Sequence, residues 1–455
     1  MNKHKHTSFS SKIGLIMAAA GSAVGLGNIW KFPYMAGQNG GGAFLIVYLI
    51  CVLAFGLPIV MTEFSIGKRS GQRVYGAFRE LIGNNRWQWL SWLCMFTAFI
   101  LMGFYFMVTG WCFSYLAEAI TNNFVGMDTE TLTAHCGSVF SNTPRMILFS
   151  LLPILITASV LWFDVNKGIE RLCKILMPLL LFMMLLMVGR VLTLEGSEAG
   201  LKFFFQTDFS KITPQVVLMA MGQCFFSLSI GMGTLITYGA YMPKQQDVTT
   251  TSIQVITLDT MVALLAGIII FPAVFAFGFD PAEGPQLVFV VLPAIFGQMS
   301  LSWFSSVLFF SLLCIAAITS TISMMEVAVG FIHDATADTN RPLNRQHSVL
   351  VSTVIVTILV VLCILSTTGK AEWLSIGKMN LFDIFDKISS CFMMPLGALG
   401  IALFFGWFLP KQSENKLPYV EESLKSPLNK IYLVAIRWIV PIAIIIIFLN
   451  SIGIL

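Results

Sequence analysis

The chain has 455 residues, of which 56% are hydrophobic and 11% charged, with a formal net charge of +4. A water-soluble fold cannot bury that much apolar surface, and a β-barrel alternates instead of carrying long apolar runs. The composition therefore predicts an all-α polytopic membrane protein.

Residues 1–11 form a polar, basic arm. The apolar segment after it is long and lacks a small-residue cleavage site, which reads as no signal peptide. Hydropathy predicts eleven spans, near 12–37, 41–67, 89–121, 144–163, 168–190, 214–241, 251–278, 301–335, 347–365, 379–407 and 431–453. Lys and Arg are concentrated on the side of Lys3, Lys12, Lys68, Arg69, Arg73, Lys174, Arg345 and Lys416. That bias predicts a multi-pass protein of the inner (plasma) membrane with its N-terminus in the cytoplasm; an odd span count leaves Leu455 outside. Eight of the nine cysteines lie in or beside apolar segments, and Cys136 stands in an outer loop. No disulfide framework, metal spacing or organic cofactor follows.

Within the first span, Gly21-Ser22-Ala23-Val24-Gly25-Leu26-Gly27-Asn28 is poor helix. Each glycine costs roughly 1 kcal/mol relative to alanine. Unwound backbone survives in a bilayer only where it is buried in protein or lines a wet cavity, so this stretch is expected to offer carbonyls and amides to a ligand. The inner loop Lys68–Trp87 reads as a solvated, Arg-rich interfacial segment. Among the outer loops, Leu292–Phe296 is apolar enough to dip back as a lid. The sixth span contains a second break, Phe225-Phe226-Ser227-Leu228-Ser229-Ile230-Gly231-Met232-Gly233. Each broken span opens a block of five, giving a first repeat at 12–190, an outer loop at 191–213, an inverted second repeat at 214–407, and an inner loop with the eleventh helix at 408–455. Paired interruptions at matching positions point to a transporter's midplane site.

Ala20 to Pro33, Asn39 to Phe44, Gly168-Ile169-Glu170-Arg171 with Lys174 and Pro178, and Gln223 with Phe225 to Ser229 resemble the neurotransmitter:sodium symporter family, bacterial amino-acid transporter branch. The resemblance implies the LeuT-like fold, with helices 1 and 6 unwound at mid-membrane. It implies two co-transported Na+ ions. The first would be held by Ala23, Asn28, Ser227 and Asp259 together with the substrate carboxylate. The second would be held by Gly21, Val24, Ala316, Thr319 and Ser320. Sodium is a hard cation, and carbonyls and short hydroxyls are suitable ligands. Many relatives carry asparagine where this chain has Asp259, and an acid at mid-membrane is functional by default. Tyr48, Gln223 and Ser227 surround it, while Ala263 offers no hydroxyl. The expectation is a fixed negative charge and transport without chloride.

The resemblance also implies a substrate site of Ser22, Ala23, Leu26, Gly27, Leu101, Tyr105, Phe226, Ser227, Ser229, Met232, Ser320, Ser323 and Met324. Monoamine relatives have an aspartate where this chain has Gly25, so the substrate is expected to bring its own carboxylate. Large hydrophobic or aromatic L-amino acids are favoured, tyrosine or tryptophan first, since Ser22, Ser229 and Ser323 offer hydroxyls. The expected outer gate is Lys31 with Asp383 over Tyr105 and Phe226. The inner gate is expected at Tyr241, Glu326 and Asp334, with His6 and Phe9 where relatives carry arginine and tryptophan. Alternatives are a proton-coupled or uncoupled amino-acid carrier of the same fold, or a symporter of small neutral or aliphatic amino acids. A channel lacks a repeated pore filter, an enzyme lacks a nucleophile–base pair, and neither nucleic acid nor an obligate protein partner is implied.

Overall fold

The computed structural model describes residues 8–127, 129–284, 287–337, 339, 341–409 and 427–451. Among them the chain is helical apart from connecting turns and one isolated bridge between Ile376 and Met379. Nine described helices are long and apolar enough to cross a bilayer: Gly42–Ser70, Gln88–Ile120, Thr143–Leu161, Gly168–Leu192, Val248–Ala276, Ser302–Ala337, Arg345–Thr367, Leu381–Phe408 and Lys430–Asn450. They match spans 2–5 and 7–11. The first span is a pair, Lys12–Ala23 and Gly27–Gln38, bent by 47°. The sixth is likewise split, into Pro214–Ser227 and Thr234–Ala240.

The third and eighth spans sit at the centre; 83% of the most apolar stretch of each is buried, against 33% for the fourth and fifth. Helices apolar all round are buried or face lipid, and packing separates the two cases here. Close approach depends on glycine, as is usual where lipid supplies no hydrophobic drive. A Cβ on Gly67 would lie 1.9 Å from the Ile236 carbonyl oxygen, and one on Gly239 would lie 2.6 Å from that of Phe64. The second span and the lower half of the sixth thus touch backbone to backbone.

The breaks have local causes. Val24 is extended (φ −72°, ψ 103°) and ends the first half-helix. In the sixth span Gly231 and Gly233 take φ of +85° and +80°, and Ser229 takes φ +53°. Left-handed backbone is cheap for glycine and uncommon for serine.

Three connections are more ordered than the sequence implied. Thr129–Ser141 forms a helix between the third and fourth spans, carrying the buried Cys136. Leu287–Gln298 is helical and buried along its length except near Gly297 and Gln298. Lys68–Trp87 is not simply solvated: it contains the helix Val74–Ile82, and Arg73 is buried.

Candidate functional site

Where the two breaks face each other they line a small, partly open chamber. Its wall contains Ser22, Ala23, Gly27, Leu101, Tyr105, Phe226, Ser227, Ser229, Met232, Ser320 and Met324, with Gly25 added. Eleven of the expected substrate residues are therefore brought together. Leu26 enters through its backbone instead, its N–H donating to the Tyr105 hydroxyl at 3.1 Å. Ser323 is not among the wall residues: its hydroxyl donates to the Thr319 carbonyl (3.0 Å) and lies 2.8 Å from Tyr238 Oη. Gly25 is required by space. A Cβ there would stand 2.2 Å from Ser320 Oγ and 2.8 Å from Tyr105 Oη.

At one end of the chamber three polar side chains converge on Asp259, which is fully buried. Asn28 Nδ2 donates to Asp259 Oδ1 at 2.7 Å, and Ser227 Oγ donates to the same carboxylate at 3.0 and 3.1 Å. Tyr48 Oη is 3.4 Å from Asp259 Oδ2. Asn28 Oδ1 accepts from Gly25 N–H at 3.1 Å, and Gln223 Nε2 donates to the Gly27 carbonyl at 2.7 Å. A carboxylate buried this deeply needs such donors or a cation.

A second oxygen cluster forms where the first break crosses the eighth span. Ser320 Oγ is 3.4 Å from the Val24 carbonyl and 3.5 Å from that of Ser22. Thr319 Oγ1 donates to the Ala316 carbonyl at 3.0 Å, and Gly21 packs against the Thr319 side chain. All five residues expected to form the second cation site thus share one corner.

The expected outer gate is half corrected. Lys31 Nζ lies 4.0 Å from the Phe226 ring centroid, but its carboxylate partner is Asp386 at 3.8 Å, not Asp383. Asp383 is engaged in a capping box with Asn380 that starts the tenth span. One helical turn separates the two acids, and the sequence alone does not say which is spent on the cap. Above the gate Phe289 packs edge-on against Trp30 and Trp111.

On the other side Tyr241 Oη donates to Glu326 Oε1 at 2.5 Å, and Arg345 pairs with the same carboxylate at 2.7 and 3.1 Å. Arg73 forms a fork with Asp334, its Nε donating to Oδ2 at 2.9 Å, and its Nη1 is 3.4 Å from Tyr241 Oη. Burial opposes the Arg73 charge, but Tyr241 and Asp334 raise its pKa above the ordinary guanidinium value overall. The Phe9 amide donates to the Tyr241 carbonyl at 3.0 Å, and its ring meets Tyr238 and Tyr241 edge-on. His6 lies outside the described residues. The cation for Asp334 thus comes from the loop after the second span, a role not legible in the sequence, where Arg73 stands among other loop cations.

Glu63 was also missed. It is fully buried, and its Oε1 accepts from Gly231 N–H at 2.8 Å, tying the second span to the sixth break. A lone acid inside an apolar span was the available signal.

Two interrupted helices facing each other across a small chamber, lined by hydroxyls and main chain beside the apolar Leu101, Phe226, Met232 and Met324, define a membrane carrier of the LeuT-like fold. The sodium:neurotransmitter symporter family model matches residues 6–147 and 141–454, and the chain belongs to that family. It is 36% identical, over the whole of both chains, to a sodium-dependent transporter of Bacillus subtilis. It is 34% identical over 99% of both chains to a sodium-dependent transporter of Haemophilus influenzae. The crystal structure of MhsT in complex with L-phenylalanine superposes with a TM-score of 0.87 at 38% identity, covering 98% of this chain and 100% of that one. The protein is a sodium-dependent membrane transporter.

Proposed function

We propose that the protein carries large hydrophobic or aromatic L-amino acids into the cell with two Na+ ions, by alternating access and without chloride. The observation that carries this reading is the chamber between the two breaks, with one oxygen cluster adjoining it at Ser227 and another at Ser320. The substrate carboxylate would sit at the start of the half-helix Gly27–Gln38, where peptide N–H groups and the helix dipole favour an anion, within reach of Tyr105. Gly25 leaves no acid to accept an amine lacking its own carboxylate. The Met232 and Met324 walls adapt to bulky side chains, and MhsT, solved with L-phenylalanine, supports the substrate class.

The first Na+ would bind Ala23, Asn28, Ser227 and Asp259, with the Asn28 amide turned to present Oδ1. Asp259 would supply the charge that makes chloride unnecessary. The second Na+ would bind Gly21, Val24, Ala316, Thr319 and Ser320. Because the substrate carboxylate completes the first ion's shell, ion and substrate reinforce each other's binding. The positive-inside bias puts the N-terminus and the Arg73–Asp334 gate in the cytoplasm and Lys31–Asp386 outside. Loss of the second Na+ to the cytoplasm would free Lys12–Ala23 from the eighth span and release the cargo.

The decisive experiment is competition by each of the twenty amino acids against labelled phenylalanine in proteoliposomes, with and without Na+ and Cl−. Uptake driven by a proton gradient alone, or competition only by small aliphatic amino acids, would overturn the reading.

A further inference from the structure

We infer that Glu170 is a clasp that holds the cytoplasmic half of the first span shut, and that handing its carboxylate over to Lys174 and water is a required step of inward opening. The inference rests on the transport reading above.

Glu170 opens the fifth span, and its side chain is 1% exposed. Its Oε2 accepts from the Ser10 backbone N–H at 2.8 Å. Its Oε1 accepts from the hydroxyls of Ser10 at 2.7 Å and Ser11 at 3.0 Å. Ser11 in turn caps the first helix, accepting from Gly14 N–H at 3.0 Å. The carboxylate therefore acts on the positive end of that helix both directly and through the cap, an arrangement favoured by the macrodipole. The fit leaves no spare volume: a Cβ on Gly14 would stand 2.2 Å from Glu170 Oε1.

These bonds join two elements that must part if Lys12–Ala23 swings away. A buried carboxylate stripped of its donors is costly. Lys174, one helical turn along and 36% exposed, already lies 2.6 Å from Oε1. It gives the carboxylate a partner after the serines leave, so the clasp can open without leaving a bare charge. The Arg73–Asp334 fork joins the eighth span to the loop after the second, and neither residue is on the N-terminal arm. Glu170 is thus a polar hold on the arm separate from that fork.

Cys173 gives a built-in reporter. It is buried, and its Sγ would lie 3.6 Å from a Cβ on Gly21, along the face the first span uncovers. With the other cysteines replaced by serine or alanine, labelling of Cys173 by an impermeant maleimide should be slowed by Na+. Glu170→Ala and Gly14→Ala should each raise the half-protecting Na+ concentration by about fivefold or more, the lower end of a linked-site coupling. Glu170→Gln should fall between, since its amide oxygen still accepts from the serines. Unchanged Na+ protection in Glu170→Ala overturns the clasp. Absence of protection with Glu170 intact instead overturns the transport reading.

Hydrogen exchange over residues 10–20, with all cysteines present and no Na+, is the second measurement. Exchange should be faster in Glu170→Ala in that segment alone; equal rates overturn the inference.

Discussion

Lys31 reaches Asp386, 3.8 Å away, while its ammonium also caps the Phe226 ring, so one side chain joins the first, sixth and tenth spans. Asp386 is 40% exposed, which limits the strength of the pair. Asp386→Asn is predicted to raise the KM for uptake about twofold to fivefold, as for a partly exposed ion pair worth up to about 1 kcal/mol. Asp383→Asn should leave KM unchanged and lower only thermal stability, because that acid serves a helix cap. Uptake kinetics and thermal unfolding of both variants separate the roles.

Asp259→Asn keeps the shape of the first oxygen cluster and removes its charge. Sodium affinity should fall, and uptake should acquire a chloride requirement. Replacing chloride by gluconate checks both proteins: the unmodified chain should be indifferent, and the variant should not. Collapse of unmodified uptake in gluconate would sink the assignment.

Thr319→Val preserves volume and deletes one oxygen from the second cluster. A contact between a neutral group and a charge is worth about 1.5–3 kcal/mol, so half-saturation by Na+ should rise about tenfold or more. The sodium dependence should also become less steep. An unaltered sodium curve would show that Thr319 is merely bonding to Ala316.

Gly25→Ala should abolish substrate binding while the protein still folds. The added methyl meets Ser320 Oγ and Tyr105 Oη, and overpacking of this kind costs about 1–3 kcal/mol. Loss of labelled phenylalanine binding with an unchanged far-UV circular dichroism spectrum is the expected result; binding that survives would show that the site yields to the methyl.

Arg73→Ala leaves Asp334 without its guanidinium. Breaking a buried pair from one side costs about 3–5 kcal/mol, so the single variant should be poorly folded or leak open on the cytoplasmic side. Arg73→Ala with Asp334→Asn should be milder than the single change, as a double-mutant cycle on thermal stability would record.

The helical crossings and both breaks were legible because a bilayer imposes length and apolarity, and because clustered glycines are expensive inside a helix. The corner of Gly21, Val24, Ala316, Thr319 and Ser320 followed from motif resemblance, and the packing brings it together. Choices between near-equivalent charges were not legible. Asp383 and Asp386 lie three residues apart on one helix, and only the cap at Asn380 decides between them. Arg73 looked like a loop cation because its burial comes from Tyr241, Asp334 and Gly330, which are far away in sequence. Ser323 had the right type and register, yet Tyr238 claims it.

The seam at Gly67 and Gly239 has a mechanical consequence. With no side chain between the two main chains, there is no layer that could shear. The second span and the lower piece of the sixth must then travel as a single lever. The pivot belongs above that seam, in the stretch from Ser229 to Gly233, where three residues already hold left-handed torsions.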